Sequence, residues 1–286
     1  MPPAPRHYAP SHAISPRDGM LSIDRADEYF WLGRRALDLL LRAGRLCDKP
    51  HFGRILDLPC GHGRVLRWLK VAFGDAAITA CDLDRDGVDF CREQFGVEGV
   101  YSHEDLRQVS FPAPFDLIWC GSLLTHLPPA QWPEILDLFE QWTAECGMIV
   151  VSLQGRFCAT ALARGKTEIA QDLDRDALLQ RFRAEGTAFE RYRGAEGDYG
   201  LTLTTPEAFG RLVQSRPNLI LRGYFEQAWG VQDIAVLYKK TGFNQPWLTR
   251  TGFSPAQTER TETERQKEEC DLAAMNAEST KKEPTT

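Results

Sequence analysis

Two hydrophobic rhythms alternate along this chain. Unbroken apolar runs at Arg54-Ile55-Leu56-Asp57, Ala77-Ile78-Thr79-Ala80-Cys81-Asp82, Phe115-Asp116-Leu117-Ile118-Trp119-Cys120 and Gly147-Met148-Ile149-Val150-Val151-Ser152 predict buried strands, with a shorter one at Gly99-Val100-Tyr101. Between them, apolar residues recur three and four positions apart: Val65, Leu66, Leu69, Ala72 and Phe73; Val88, Cys91 and Phe95; Trp132, Ile135, Leu136, Phe139 and Trp142. Each set makes one face of a helix. Strand and helix in alternation predict an α/β, doubly wound architecture.

The flanks differ. Residues 1–19 are rich in Pro, Ser and His and predict a mobile arm, after which Phe30, Gly33, Leu37, Leu40 and Leu41 predict an amphipathic helix from Asp24. Beyond the fifth strand, residues 167–184 read as a helix with a mixed charged face and residues 194–200 as a Gly-rich break. Thr205-Pro206-Glu207 starts another helix with a hydroxyl cap and a first-turn proline, and residues 219–225 and 231–238 read as the last two strands. From Pro255 the chain is Thr/Glu/Lys-rich and too poor in apolar residues to order itself, so 246–286 reads as a disordered tail.

The first strand feeds its helix through Asp57-Leu58-Pro59-Cys60-Gly61-His62-Gly63. Gly61 and Gly63 can take positive φ and leave backbone open to a ligand, a recurring nucleotide-site geometry at strand tips of open α/β sheets. A phosphate-cradling loop would need Lys-Ser/Thr after Gly63, where Arg64-Val65 stand. A dinucleotide fingerprint wants a small residue at 66, where Leu66 stands, which weakens an NAD-dependent oxidoreductase. Asp82 ends the second strand 21 residues after Gly61, placed to accept hydrogen bonds from ribose hydroxyls. Asp82, Asp84, Asp86, Gly87 and Glu93 also match the calcium-loop pattern of an EF-hand. A strand precedes them where a helix is needed, and the Val88, Cys91, Phe95 spacing runs a helix through the would-be loop.

These motifs in this order resemble the class I S-adenosylmethionine-dependent methyltransferases, whose first motif is Asp/Glu-x-Gly-x-Gly-x-Gly; here Pro59 replaces the first glycine. The resemblance covers about residues 20 to 240. It implies a Rossmann-like sheet of seven strands, mostly parallel with an antiparallel last strand, in a methyltransferase domain spanning 20–245. Residues 24–47 would be a cover helix and 154–200 a substrate-side insertion. S-adenosyl-L-methionine is the implied cofactor: Asp57, Pro59, Cys60, Gly61 and Gly63 around its methionine part, Asp82 and Leu83 at the ribose, Glu104 or Asp105 at the adenine, and Cys120 at the fourth strand's tip. Asp27-Glu28-Tyr29-Phe30-Trp31-Leu32-Gly33 resembles a cofactor-covering segment of bacterial relatives and would bring Tyr29 to the methionine end.

The residues just after the fourth strand bear on the acceptor. Enzymes that methylate nucleobase amines often carry Asn/Asp-Pro-Pro-Tyr there, and this chain has Cys120-Gly121-Ser122-Leu123. Ser122-Leu123-Leu124-Thr125-His126-Leu127 instead resembles small-molecule and glycan-tailoring methyltransferases. His126 is then a general base toward a hydroxyl or amine, or a residue that fixes its own loop. A binding protein of the same fold without turnover is the further alternative.

Charge and cysteine usage narrow the partners. Net charge is −6, and residues 251–286 contribute five Lys/Arg against eight Asp/Glu, so no basic field for nucleic acid exists. Eight cysteines, several inside apolar strands and none in a Cys-x-x-Cys pair, read as reduced buried thiols, and the scattered His residues make no zinc set. No run reaches membrane length and no signal-peptide core opens the chain, so the expected setting is cytoplasmic, without membrane or metal.

Overall fold

The computed structural model describes residues 9–21, 25–166, 173–195 and 197–240. The expected disorder of the 246–286 tail and of residues 1–8, and the expected helix start at Asp24, lie outside the described residues.

The central sheet has seven strands: β1 (Arg54–Asp57), β2 (Ala77–Asp82), β3 (Glu98–Tyr101), β4 (Phe115–Cys120), β5 (Thr143–Leu153), β8 (Leu219–Trp229) and β9 (Gln232–Lys239). Their order is β3-β2-β1-β4-β5-β9-β8; β1 to β5 pair in parallel, and β9 runs antiparallel to both neighbours. The mostly parallel seven-stranded α/β sheet with its antiparallel last strand is thus the expected one. Strand order reverses between β1 and β4, and a doubly wound sheet binds ligands in the crevice at that place.

Alternate residues of each central strand enter opposite cores. Ile55, Leu117, Trp119, Met148 and Val150 join the layer under α1 (Ala26–Leu46), α2 (Leu66–Ala72) and α3 (Arg85–Phe95). Leu56, Ile118, Cys120, Ile149 and Val151 join the layer under α4 (Trp132–Trp142) and α7 (Pro206–Gln214). Burial on both faces is why these strands read as continuous apolar runs. α1 crosses α2 closely: a Cβ at Gly33 would sit 2.3 Å from the Arg64 carbonyl oxygen and 2.6 Å from the Trp68 ring. Among the described residues no helix is long and apolar enough to cross a membrane.

The stretch between β5 and α7 holds the helix expected over 167–184, of which 167–172 lie outside the described residues, and a hairpin that was not expected. Its helices are α5 (Arg156–Ala163) and α6 (Arg175–Glu185), followed by an antiparallel hairpin of β6 (Thr187–Arg191) and β7 (Gly200–Thr204). Each arm of the hairpin has five residues; Leu201 and Leu203 alternate with Thr202 and Thr204 in the second, but a run this short directly after a Gly-rich break does not by itself announce a strand. Leu162, Leu178, Phe182, Ala188, Leu201 and Leu203 give this insertion a small core separate from the two sheet layers.

Residues 9–21 also depart from a mobile arm. Buried Arg67 donates from Nη1 to the carbonyls of Ser11 (3.0 Å) and Ala13 (2.9 Å), and the Tyr29 hydroxyl donates to Asp18 Oδ2 at 2.6 Å. A guanidinium taken out of water needs acceptors, and this segment supplies them.

Candidate functional site

The site begins where β1 ends. Leu58 N–H donates to the Trp119 carbonyl and Cys60 N–H to the Cys81 carbonyl, so the loop after Asp57 leaves the sheet between β2 and β4. The Leu58–Pro59 bond is cis, and Gly61 and Gly63 take φ of +49° and +77°. The two glycines serve different ends. A Cβ on Gly63 would meet the Phe95 ring at 2.5 Å, so its bareness admits α3; a Cβ on Gly61 meets nothing within 4 Å and would project into open space. Gly61→Val is therefore expected to cost only about 1–2 kcal/mol of stability through its backbone conformation, yet to obstruct the cleft. Thermal denaturation and ligand titration on one sample would check this; loss of fold instead of loss of binding counts against it.

Asp82 braces this loop. Its Oδ2 accepts the Gly61 N–H at 2.7 Å and its Oδ1 the Asp84 N–H at 2.9 Å, and burial raises its pKa against those backbone donors. Each carboxylate oxygen has a second lone pair, so two acceptor sites remain for ribose hydroxyls. Asp84 caps α3 through the Asp86 N–H, and that helix runs through the residues of the would-be calcium loop.

Asp57 is 1% exposed, and its Oδ2 has no hydrogen-bond partner among the described residues. Burial raises its pKa well above the ordinary aspartate value, the Asp82 charge adds to the rise, and Arg64 opposes it. Because the folded value lies above the unfolded one, the carboxyl costs nothing while both states are protonated, below about pH 4. The cost grows as pH rises and the unfolded chain ionises first. Asp57→Asn is expected to raise the melting temperature at pH 8, with the gain vanishing toward pH 4, and to weaken binding of a cationic ligand group. An Asn variant less stable at pH 8 than at pH 4, relative to wild type, contradicts the assignment.

A cleft of about 1040 Å³ opens at this end of the sheet. It brings together Asp57, Pro59, Cys60, Gly61, Asp82 and His126. The other expected site residues lie off its walls. Gly63 packs behind the loop, Cys120 is fully buried beneath the sheet's other face, and Leu83 stands exposed beside Asp82. Tyr29 is one layer back, at a 150 Å³ pocket sharing Met20, Arg25, Glu28 and Leu32 with the cleft. Asp105 is committed elsewhere: it accepts Arg107 Nε at 2.7 Å and Nη2 at 3.1 Å, and this pairing pulls its pKa down to about 2. Glu104 is exposed, without a side-chain hydrogen bond among the described residues, and is the freer of the two acids.

His126 sits at the cleft's far end, with Nδ1 2.9 Å from the Gly200 carbonyl oxygen and its ring stacked on Tyr199 at 5.0 Å. Burial lowers its pKa, with the Gly200 carbonyl pulling the other way. The cleft also recruits residues to which the sequence assigned no role. Arg64 lies over the Trp229 ring at 5.3 Å, and Ser122, at φ +64°, accepts the Gln232 Nε2–H at 2.9 Å. Neighbours at the start of β9 divide: Gln232 faces the cleft, while fully buried Asp233 accepts the Gln227 N–H and the Tyr224 hydroxyl. Arg64 directly follows the glycine loop, which was the available signal; the place of Gln232 at the cleft depends on β9 lying beside β5.

Comparison with known proteins agrees with this geometry. Residues 55–147 match the family described as methyltransferase domain. A 60-residue stretch is 35% identical to the fatty-acid O-methyltransferase of Mycolicibacterium smegmatis, covering 21% of this chain and 22% of that enzyme's length. The structure is similar to the amino pentose methyltransferase of calicheamicin biosynthesis from Micromonospora echinaspora, solved with S-adenosylmethionine bound: TM-score 0.50, 17% identity, 77% of this chain and 98% of that one. It is also similar to the plantazolicin methyltransferase BpumL, solved with S-adenosylhomocysteine: TM-score 0.52, 13% identity, 76% of this chain and 87% of that one. Residues 55–147 thus match a methyltransferase domain, and the seven-stranded sheet around them has the fold of these methyltransferase structures.

Proposed function

We propose that this chain transfers a methyl group from S-adenosylmethionine to a hydroxyl or amine of a small-molecule or glycan acceptor. One observation carries the reading: Asp57, with a buried oxygen that has no partner among the described residues, shares one cleft with the Gly61 backbone and Asp82. An orphaned buried carboxylate oxygen is costly unless a ligand brings a donor to it, and the ammonium of the methionine part is such a donor. The donor set fits the cofactor: Gly61 admits it against bare backbone, Asp82 retains two lone pairs for the ribose, and Arg64 faces the same space for the carboxylate.

When bound, the sulfonium supplies an already activated methyl group. The chain's own task is to hold the acceptor in line and to exclude water. His126 is placed to take the proton that the acceptor loses, while Ser122 and Gln232 offer polar groups to orient it. Glu104 is the acid we assign to the adenine end, and exposed Leu83 offers an apolar surface beside the ribose. The domain spans 20–245 in this reading, with 24–47 and 154–200 closing the cleft. The cysteines among the described residues are free thiols, which fits a reducing compartment such as the cytoplasm.

Calorimetric titration with S-adenosylmethionine, S-adenosylhomocysteine and NAD is the direct test. Micromolar affinity for the two sulfur compounds, about −8 kcal/mol, is expected. Equal binding of NAD would move the chain to the oxidoreductases. An acceptor screen with a labelled methyl donor then separates an enzyme from a cofactor-binding protein without turnover.

A further inference from the structure

We propose that the β6–β7 hairpin is the positioning element for His126: the Gly200 carbonyl sets which ring nitrogen carries the proton, and Tyr192 and Tyr199 hold the plane of the ring. This deepens the methyltransferase reading and rests on it for its purpose, but its geometry stands alone.

A carbonyl oxygen can only accept. With Gly200 O at 2.9 Å, Nδ1 must be the protonated nitrogen, and a neutral ring then carries its lone pair on Nε2. The Tyr192 hydroxyl, 3.4 Å from the same Nδ1, is a longer second acceptor. His126 lines the cleft, and no described residue hydrogen-bonds Nε2, so that lone pair is left for a ligand. Without such a clamp the ring could turn over about its Cβ–Cγ bond and exchange nitrogen for carbon.

The hairpin is built to keep this relation. Gly200 N–H donates to the His126 carbonyl at 3.0 Å, Thr202 N–H to the Thr125 carbonyl at 2.9 Å, and Thr202 Oγ1–H to the Leu127 carbonyl at 2.7 Å. β7 therefore docks along the histidine's own loop as an added strand would. Tyr199 stacks on the imidazole at an interplanar angle of 27°, and Tyr192 approaches it at 45°. The far side of β7 is anchored by Leu201 and Leu203 in the core shared with α5 and α6. Position 200 has no room for a side chain, since a Cβ would lie 2.2 Å from the Glu190 carbonyl oxygen. The insertion thus does more than wall an acceptor site; it holds the proton-accepting face of His126 toward that site.

The test uses the full chain labelled with 15N-histidine, observed by long-range 1H–15N correlation at pH 8, with the His126 signal identified by its loss in His126→Gln. The expected wild-type result is one neutral form, protonated at Nδ1 and bare at Nε2. Gly200→Ala, which pushes the carbonyl away, and Thr202→Val, which removes the side-chain bond to Leu127 and so loosens β7 on the loop, are each expected to shift the signal toward the Nε2-protonated form. Tyr192→Phe is expected to keep the wild-type form, because the carbonyl remains. Wild-type His126 protonated at Nε2 would overturn the proposal, as would an unchanged tautomer in folded Gly200→Ala; if that variant does not fold, Thr202→Val decides alone. S-adenosylhomocysteine binding reports separately on the methyltransferase reading, and its absence in wild type would sink that reading while leaving the tautomer result intact.

Discussion

Asp82→Ala is expected to lower the affinity for S-adenosylhomocysteine by about two orders of magnitude or more. The substitution removes acceptors for the ribose hydroxyls, each charge-assisted bond being worth roughly 1.5–3 kcal/mol, and strips the Gly61 N–H of its partner. Both losses fall on the same ligand, because Gly61 is the bare backbone against which it lies. Asp82→Asn separates them: an amide oxygen turned toward Gly61 can keep the brace while the charge is lost, so an intermediate affinity is expected. Calorimetry on the three proteins checks the order. Wild-type affinity in the alanine variant would mean that this carboxylate is only a cap for the loop and α3.

His126→Ala is expected to reduce turnover about 10²–10⁴-fold, the usual span for a lost general base, with the Kd for the cofactor unchanged. The acceptor is the one found by the labelled-methyl screen. In wild type the rate should rise with pH as His126 loses its proton. Burial lowers its pKa, so the midpoint of that rise should lie below the ordinary histidine value of about 6.5, with the neutral base the main form at neutral pH. His126→Gln keeps much of the side chain's volume without the basic nitrogen, and is expected to lose the pH dependence together with the rate. A glutamine variant as fast as wild type would assign His126 to fixing its loop alone.

How far the site could be read depended on how local its signals are. β1, β2 and β4 were legible because a strand covered on both faces has to be apolar along its length. The loop at Asp57, Gly61 and Gly63 was legible because positive φ favours glycine, and only Pro59 blurred it. Asp82 followed from its place at a strand tip. Asp105 was a fair candidate by position, yet its neighbour Arg107 neutralises it, and that depends on side-chain conformation rather than spacing. Cys120 was placed at a strand tip correctly, but the parity of the strand turns it to the layer under α4, away from the cleft.

Sequence alone was therefore enough for the alternation of strand and helix, the glycine loop and the acid that faces it, since each follows from burial or backbone constraint within a few residues. Tertiary structure decided the rest: that Asp57 has an oxygen bare of partners among the described residues, that residues 11–13 are held by Arg67, and that a hairpin 74 positions away grips His126. Those relations arise when distant segments meet and exclude water, so that a polar group must find whichever partner the packing brings. No periodicity along the chain records which one that will be.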